Sequence, residues 1–306
     1  MNRRRLLSTG FAVLGASCLP AMEPFNRPGK PRLMLGLAAY GFRDYFPSMK
    51  DKPQTPKAGH EPLDMLKFID YTADQGCAGA ELTSYYFPPN VTDEYLVQCR
   101  HRAFLRGIAI SGTAIGNVWT HPKGSPEREK EIASSKAWID KAVIMGTTHV
   151  RVFAGAAPKG MSMEDATANC ISAYKECADY AGSKGITLGM ENHGGIVAEP
   201  DNILKIMHAV DSPWIGINFD SGNYKTEDPY ADLAKIAPYA VNVQFKTEIQ
   251  RKGSPTPEPS DYKRVIQILR DANYQGWFTL EFEGKEDPFE NVPRVLAEVK
   301  PLLEQS

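Results

Sequence analysis

The chain has 306 residues, of which 42% are hydrophobic and 24% are charged, the balance of a folded globular protein rather than a disordered or fibrous one. Its formal net charge at pH 7 is −2, so it has no basic excess with which to neutralise nucleic-acid phosphates or an anionic membrane surface. The length is ample for a sizeable hydrophobic core in one large domain or two small ones. Composition therefore argues against a nucleic-acid partner.

Residues 1–30 have the organisation of an export signal followed by a spacer. Residues 3–5 are arginines, and the apolar run over 6–19 that follows them is too short for a comfortable membrane span. Two arginines, one free position and two large apolar residues are typical of a twin-arginine signal. An ordinary secretory signal or an uncleaved anchor is the alternative, and lipidation at Cys18 is a minority interpretation. We expect an exported, periplasmic protein with no membrane association once the signal is removed.

From Arg32 onward, short apolar runs alternate with longer amphipathic ones. The runs that indicate strands are Leu33–Tyr40, Ala78–Thr83, Ile108–Ile115, His149–Ala154, Ile186–Glu191, Ile215–Asp220, Val241–Lys246 and Trp277–Phe282. The patterns that indicate helices are Pro62–Gln75, Asp93–Arg106, Pro126–Met145, Met163–Lys184, Pro200–Val210, Pro229–Tyr239, Asp261–Ala272 and Pro288–Glu304.

This alternation predicts a parallel sheet covered by helices on both faces. Eight units over residues 32–306 fit the (β/α)8 TIM barrel, whose usual size is about 250 residues. The alternative is an open doubly wound sheet, which favours a glycine-rich phosphate-binding turn after the first strand. The sequence there, Tyr40-Gly41-Phe42-Arg43, is not such a turn. We therefore predict the α/β class and a single TIM barrel.

Four consecutive predicted strands end on residues that carry an oxygen donor. They are Glu191, Asp220, Gln244 and Glu281. Carboxyl ends of barrel strands converge on one mouth, where three carboxylates and an amide oxygen repel each other unless a divalent cation binds them. Hard oxygen ligands favour Mn²⁺ or Mg²⁺, with Co²⁺ or Zn²⁺ tolerated. The alternative is that each acid is a cap or an ion-pair partner. Glu283 shares the strand face of Glu281, and it is expected to lie beside that ligand without binding the metal itself.

The same residues give a family resemblance. From residue 33 to about 303 the chain resembles the xylose isomerase-like TIM-barrel superfamily of sugar phosphate isomerases and epimerases. That family binds one divalent metal through Glu, Asp, His and Glu on strands five to eight. The resemblance implies Glu191, Asp220 and Glu281 as ligands, with Gln244 where His is usual. In the family's ketose 3-epimerases the two metal-bound glutamates also move the proton, which implies that role for Glu191 and Glu281.

Two further residues are candidates for the chemistry. Lys246 matches a lysine often found two residues after the family's His, and it is expected to bind a substrate oxygen or steady an enolate. A salt bridge to Glu283 is the alternative. His193 is expected to act as a hydrogen-bond partner or an acid, and pairing with a neighbouring carboxylate is its alternative. The chain departs from the epimerases at Asn223 and Gln250, where they carry His and Arg, and this weakens the case for free-ketose 3-epimerase activity.

Five residues are predicted to bind substrate at the mouth. They are Glu81, Asn192, Asn223, Tyr40 and Trp119. Tyr40 and Trp119 lie on mouth loops, where aromatic rings suit sugar stacking. Glu81 ends the second predicted strand, with a structural ion pair as its alternative.

The expected function is a divalent-metal-dependent sugar isomerase or epimerase, in which the metal polarises a carbonyl and a carboxylate removes the adjacent proton. A 3-keto-glycoside lyase or hydratase using the same site, and a sugar-binding barrel without catalysis, are the alternatives. An apurinic endonuclease is disfavoured because it needs a His-rich site with three metals. The expected partner is a small-molecule sugar, and the sequence leaves homo-oligomerisation open.

Overall fold

The computed structural model describes residues 22–304. The predicted twin-arginine motif and apolar run lie outside this range and stay a prediction. Among the described residues, no helix combines the length and the apolar character needed to cross a bilayer.

Within residues 22–304, eight parallel strands close into a barrel. In chain order β1 to β8 are Arg32–Ala38, Gly79–Thr83, Ala109–Ala114, His149–Val152, Thr187–Glu191, Ile215–Asp220, Ala240–Phe245 and Gln275–Leu280. Helices α1 to α8 follow them and are Met65–Asp74, Asp93–Leu105, Pro126–Met145, Met163–Ser183, Pro200–Val210, Pro229–Ile236, Tyr262–Asp271 and Pro288–Glu304. Each strand pairs with its sequence neighbours, and β1 closes the ring by pairing with both β2 and β8. The predicted single TIM barrel is confirmed.

Local capping explains where the helices begin and end. The Ser125 hydroxyl accepts from the backbone N–H of Arg128 at 3.2 Å, and Pro126 occupies the first turn of α3, where no intrahelical N–H is needed. The helix ends at Gly146, whose φ of +77° is a left-handed conformation that favours glycine. These signals set the boundaries that the sequence predicts for this helix.

The interior of the barrel is polar, whereas the layer between strands and helices is apolar. In β7, Phe245 lies 5.8 Å from the Tyr262 ring of α7. The alternate residues Asn242 and Gln244 point the other way and donate to Glu81 across the barrel. A side-chain period of two therefore separates an outer hydrophobic layer from an inner hydrogen-bonded one.

The segment that the sequence assigns to a spacer packs against the amino-terminal end of the barrel. Met22 is buried, and the Arg27 guanidinium donates to the carbonyl of Ala240 at 2.5 Å. The Asn273 amide donates to the carbonyl of Arg27 at 2.7 Å, and the Phe25 N–H donates to a carbonyl beside β7. Residues 22–30 are therefore part of the folded unit.

This packing predicts that a chain beginning at residue 31 is less stable than one beginning at residue 22. Hydrogen bonds worth about 1 kcal/mol each, together with the burial of Met22, give an expected loss of roughly 2–3 kcal/mol in unfolding free energy. Urea denaturation of the two chains measures it. Arg27→Met in the longer chain isolates the guanidinium. Equal midpoints for both chains would show that the segment contributes nothing.

Candidate active site

The fold brings the predicted acids to one end of the barrel. Glu191 and Asp220 are the last residues of β5 and β6, and Glu281 directly follows β8. Strand pairing aligns Asp220 with Gln244 and Gln244 with Thr279, so neighbouring strands end at matching heights. All four predicted ligand positions are almost entirely buried.

Lys246, the first residue after β7, lies at the centre of the acids. Its Nζ is 2.8 Å from Glu281 Oε2, 2.9 Å from Glu283 Oε2 and 3.2 Å from Asp220 Oδ2. The side chain is only 7% exposed. Burial disfavours the charge of Lys246, but the surrounding carboxylates outweigh burial and raise its pKa well above the ordinary value. The ion pair with Glu283, which the sequence left as the alternative, is therefore present.

Glu191 has a different partner, which sequence reasoning missed. Arg151 in β4 places Nε 2.9 Å from Glu191 Oε2 and donates from Nη1 to the carbonyl of Ile115 at 2.8 Å. The Asn223 amide donates to the other oxygen, Oε1, at 2.7 Å. Burial raises the pKa of Glu191 to about 7, an effect that Arg151 opposes and Glu281 reinforces. The Glu191 carboxyl is thus held by an ion pair with Arg151 and a hydrogen bond from Asn223, and its pKa lies at about 7.

Gln244 belongs to a hydrogen-bonded layer just below these acids. Its NH₂ group donates to Glu81 Oε1 at 2.6 Å and to Glu281 Oε1 at 3.1 Å. Its carbonyl oxygen accepts from the Asn218 amide at 2.6 Å. An ionised carboxylate can only accept hydrogen bonds, so the NH₂ end of the Gln244 amide faces Glu81 and Glu281. Ligation of a metal by Gln244 stays a prediction, and it requires the amide to reverse and give up these bonds.

Two of the predicted substrate contacts are buried in this structure, where tertiary packing occupies their side chains. Trp119 is fully buried, and its ring centroid lies 5.3 Å from that of Tyr174. Asn192 is also fully buried, and both ends of its amide bond the backbone of Asp220, at 2.8 and 3.0 Å. Neither side chain reaches the mouth. Asn192 instead fixes the strand end that carries Asp220.

Glu81 is likewise inside the barrel rather than at its mouth. It is fully buried, and Asn242 and Gln244 donate to its two oxygens. Burial raises its pKa to about 7, with the nearby Glu281 reinforcing the effect and Arg151 opposing it. A direct bond from Glu81 to a sugar hydroxyl is therefore not available in this structure.

The other two predicted contacts, Asn223 and Tyr40, lie at the mouth, together with the catalytic candidate His193. Asn223 and His193 line a cleft of about 1010 Å³ that leads outward from Glu191. The His193 ring packs at a tilt against Phe153, with the ring centroids 4.6 Å apart, and burial, helped by Arg151, lowers the pKa of His193. Tyr40 is half-buried beside Glu281 and Glu283, whose charges add to burial in raising its pKa.

Residues 69–300 match the family model described as xylose isomerase-like TIM barrel. The chain belongs to this family. A search of curated proteins finds no match.

Solved structures with the same barrel include enzymes of sugar chemistry. A D-psicose 3-epimerase, solved in the presence of D-fructose, has a TM-score of 0.68 at 14% identity, over 89% of this chain and 99% of its own. A 3-keto-D-glucoside 4-epimerase from E. coli has a TM-score of 0.66 at 14% identity, over 88% and 100%. A xylose isomerase-like TIM barrel protein from Mycobacterium smegmatis in complex with magnesium has a TM-score of 0.65 at 20% identity, over 89% and 96%. At these identities the likeness shows the shared fold.

The acids of this xylose isomerase-like barrel are chemically suited to a divalent cation, although protein cations hold them in this structure. Among residues 22–304 no group of three His, Cys, Asp or Glu side chains is gathered as a metal centre. Two cations, Lys246 and Arg151, face five carboxylates, which are Glu81, Glu191, Asp220, Glu281 and Glu283. Asp220 Oδ2 is buried, and it forms the 3.2 Å ion pair with Lys246 but accepts no well-aligned hydrogen bond among the described residues. Burial raises the pKa of Asp220 well above its usual range. The excess of negative charge fits a further cation, with Glu191, Asp220 and Glu281 as hard oxygen donors.

The buried Glu81 predicts a measurable pH dependence of stability. Its pKa is about 7 in the folded state against 4.5 ordinarily, so the folded chain keeps a proton that the unfolded chain has released. The stability present below pH 4.5 is therefore lost as pH rises through 7, by on the order of 3 kcal/mol. Urea unfolding in EDTA, with wild type compared to Glu81→Gln at each pH, cancels the contributions of the groups that do not interact with Glu81. Parallel stability curves for the two proteins would contradict the prediction.

Proposed function

We propose that this protein is a sugar isomerase or epimerase that uses one divalent metal, Mn²⁺ or Mg²⁺ before Co²⁺ or Zn²⁺, to move a proton on the carbon next to a carbonyl. The observation that carries the proposal is that the buried Glu191 and Glu281 come to the same end of the barrel, where Arg151 contacts Glu191 and Lys246 contacts Glu281. Two carboxylates with access to one carbon are what proton removal and return require. The substrate is a small keto-sugar or a sugar in equilibrium with one.

The two glutamates have distinct surroundings that suit distinct roles. Glu191, with a pKa near 7, is poised to exchange a proton at neutral pH and acts as the base. Asn223 and Arg151 fix the orientation of its carboxylate. Glu281 returns the proton on the opposite face of the substrate. His193 donates to or accepts from a substrate hydroxyl in the cleft.

Glu191, Asp220 and Glu281 would hold the metal, with Gln244 as a fourth donor if its amide reverses. When bound, the metal supplies polarisation of the substrate carbonyl and stabilises the charge that forms on its oxygen. Lys246 adds a protein donor to the same region, where its ammonium can bind a substrate oxygen. Glu283 keeps Lys246 in position from the rim of the mouth.

Proton exchange with solvent tests the proposal directly. The chain from residue 22, loaded with Mn²⁺, is incubated in D₂O with a panel of ketoses and keto-sugars, and NMR reports deuterium uptake and new stereoisomers. We expect both signals for at least one sugar. In Glu191→Gln we expect no new stereoisomers and no deuterium uptake by the stereoisomer whose proton faces Glu191. The exposed Glu286→Gln is the matched control and should behave as wild type. Sugar binding with no exchange anywhere on the panel would instead support a barrel that binds without catalysis.

The size of the cleft favours one second candidate, a lyase or hydratase acting on 3-keto-glycosides. At about 1010 Å³ the cleft lies at the upper end of the roughly 300–1,000 Å³ typical of ligand pockets, more than a monosaccharide needs. Its outer part, which includes Lys225 and Asp228, offers room for an aglycone. The same proton abstraction followed by loss of a β-substituent would release that group. Release of nitrophenol from a nitrophenyl 3-keto-glycoside distinguishes the lyase from the epimerase.

We further propose that the protein is exported to the periplasm by the twin-arginine route. The support is residues 3–7, which read Arg-Arg-Arg-Leu-Leu ahead of an apolar run. Replacing residues 3–5 by lysines in a fusion to a reporter active only after export should abolish export. Unchanged export would favour an ordinary secretory signal.

A further inference from the structure

Lys246 is held among the acids by its backbone as well as by its ammonium group. The Lys246 N–H donates to the Ser221 hydroxyl at 2.9 Å. A Cβ at Gly222 would lie 3.0 Å from Lys246 Cβ and 3.1 Å from Cγ, so this glycine leaves the space that the lysine stem occupies. The strand-six turn and the strand-seven end therefore fit together around this one side chain.

The ammonium of Lys246 uses oxygens that a divalent metal would need. Its Nζ contacts Asp220 Oδ2 and Glu281 Oε2, and these two residues are among the donors assigned above to the metal. Two cations a few ångströms apart in a buried site repel strongly. Binding of a metal by both carboxylates is therefore opposed by the lysine as long as its Nζ keeps these contacts.

The contact with Glu283 gives the Lys246 ammonium an anionic partner outside the proposed metal donors. Glu283 Oε2 lies 2.9 Å from Nζ, and the Glu283 side chain is 41% exposed, in contrast to the buried Asp220 and Glu281. A lysine that gives up its two inner partners keeps an anionic partner at the rim. Its long, flexible stem permits such a change without movement of the backbone.

We propose that Lys246 is a built-in competitor of the divalent metal, holding Asp220 and Glu281 until the metal displaces its ammonium toward Glu283. This inference rests on the metal site proposed above. It means that the protein is stable without metal and that its metal affinity is set below what its carboxylates alone would give. It also means that loading the metal places a lysine donor beside the substrate.

Metal affinity of a lysine-free site tests the proposal without reference to turnover. Lys246→Met removes the competing charge and keeps the stem, and Lys246→Gln keeps a neutral NH₂ donor. The protein from residue 22 onward is stripped of metal with EDTA. The EDTA is then removed, and the protein is titrated with MnCl₂. The decrease in the EPR signal of free Mn²⁺ gives the amount of metal bound. Lys285→Met on the exposed loop after β8 is the matched control.

We expect both Lys246 variants to bind Mn²⁺ about tenfold or more tightly than wild type, and Lys285→Met to bind as wild type does. Their metal-free melting temperatures should fall, because Asp220 and Glu281 lose their counter-charge, and Mn²⁺ should raise them further than in wild type. A variant that folds only on addition of Mn²⁺ supports the same conclusion. The added Asp220→Asn change should abolish the gain in affinity.

Equal or weaker binding by the Lys246 variants overturns the competition while leaving the metal site intact. Absence of Mn²⁺ binding in wild type and in every variant overturns both the competition and the metal requirement. Lys246 variants that stay unfolded with and without Mn²⁺ also count against the competition, because a metal that replaces the ammonium should supply the lost positive charge and restore folding. Mn²⁺ binding by any of these proteins therefore tests the metal site, and the comparison of wild type with the Lys246 variants tests the competition.

Discussion

Glu281→Gln should lower interconversion of the two stereoisomers of the substrate by about 10²–10⁴-fold. The change is isosteric, but a neutral amide cannot take or deliver the proton that a carboxyl group transfers. Glu281 Oε1 accepts from Gln244 and Oε2 lies 2.8 Å from Lys246, so the side chain is fixed in place before any substrate arrives. Because Glu281 is also a proposed metal donor, the variant is assayed with saturating Mn²⁺, so that the loss reports missing proton transfer.

The expected pattern of solvent exchange is asymmetric. Suppose that Glu191 and Glu281 act on opposite faces of the substrate. Glu281→Gln then still exchanges the proton of the stereoisomer whose proton points toward Glu191. Glu191→Gln exchanges only the proton of the opposite stereoisomer. NMR in D₂O, starting from each stereoisomer separately, measures this. Glu286→Gln should exchange and interconvert both. Equal loss of exchange from both stereoisomers in each variant would point to a single base assisted by the other residue.

The acids at the strand ends could be predicted because two simple regularities suffice. A side-chain period of two sends Glu191, Asp220 and Glu281 inward, and parallel pairing brings the carboxyl ends of β5, β6 and β8 to one level. Lys246 follows from the same reasoning. No knowledge of loop conformation is required for any of these residues.

The partners of those acids could not be predicted from the same regularities. Which oxygen of Glu191 meets Arg151, and which end of the Gln244 amide faces Glu281, depends on distances across the barrel. A signal was nevertheless present for Arg151. A charged residue between two valines in the run His149–Val152 indicates an inward-facing group that needs a buried counter-charge.

The predicted substrate contacts that the structure buries are buried for separate reasons. Trp119 lies on a loop, where sequence does not determine whether an aromatic ring faces solvent or the core, and burial of its large apolar surface against Tyr174 prevails. Glu81 was placed too high because it lies two residues before the end of β2, where its side chain is fully buried inside the barrel. The spacer at residues 22–30 likewise docks through tertiary contacts that its proline-rich composition does not predict.

Arg151→Met should destabilise the protein by about 3–5 kcal/mol, the cost of leaving a buried charge without its partner. Arg151 is 2% exposed, and it serves Glu191, the carbonyl of Ile115 and the face of Phe153, whose ring centroid is 3.9 Å from its guanidinium carbon. Methionine fills part of the volume but satisfies neither the carboxylate nor the carbonyl. Urea unfolding measures the loss.

Stability alone would not separate a positioning role from a merely structural one, so the pH profile of activity is the second measurement. Arg151 opposes the rise of the Glu191 pKa, and removing it should raise that pKa above its value of about 7. Because the base must be deprotonated, the pH at which turnover reaches half its maximum should move upward.

Arg128→Met is the matched control, since Arg128 is equally buried and pairs with Glu176 between α3 and α4, away from the mouth. It should lower stability and leave the pH profile where it was. A profile unchanged in Arg151→Met would reduce Arg151 to a structural residue and leave Asn223 as the group that orients Glu191.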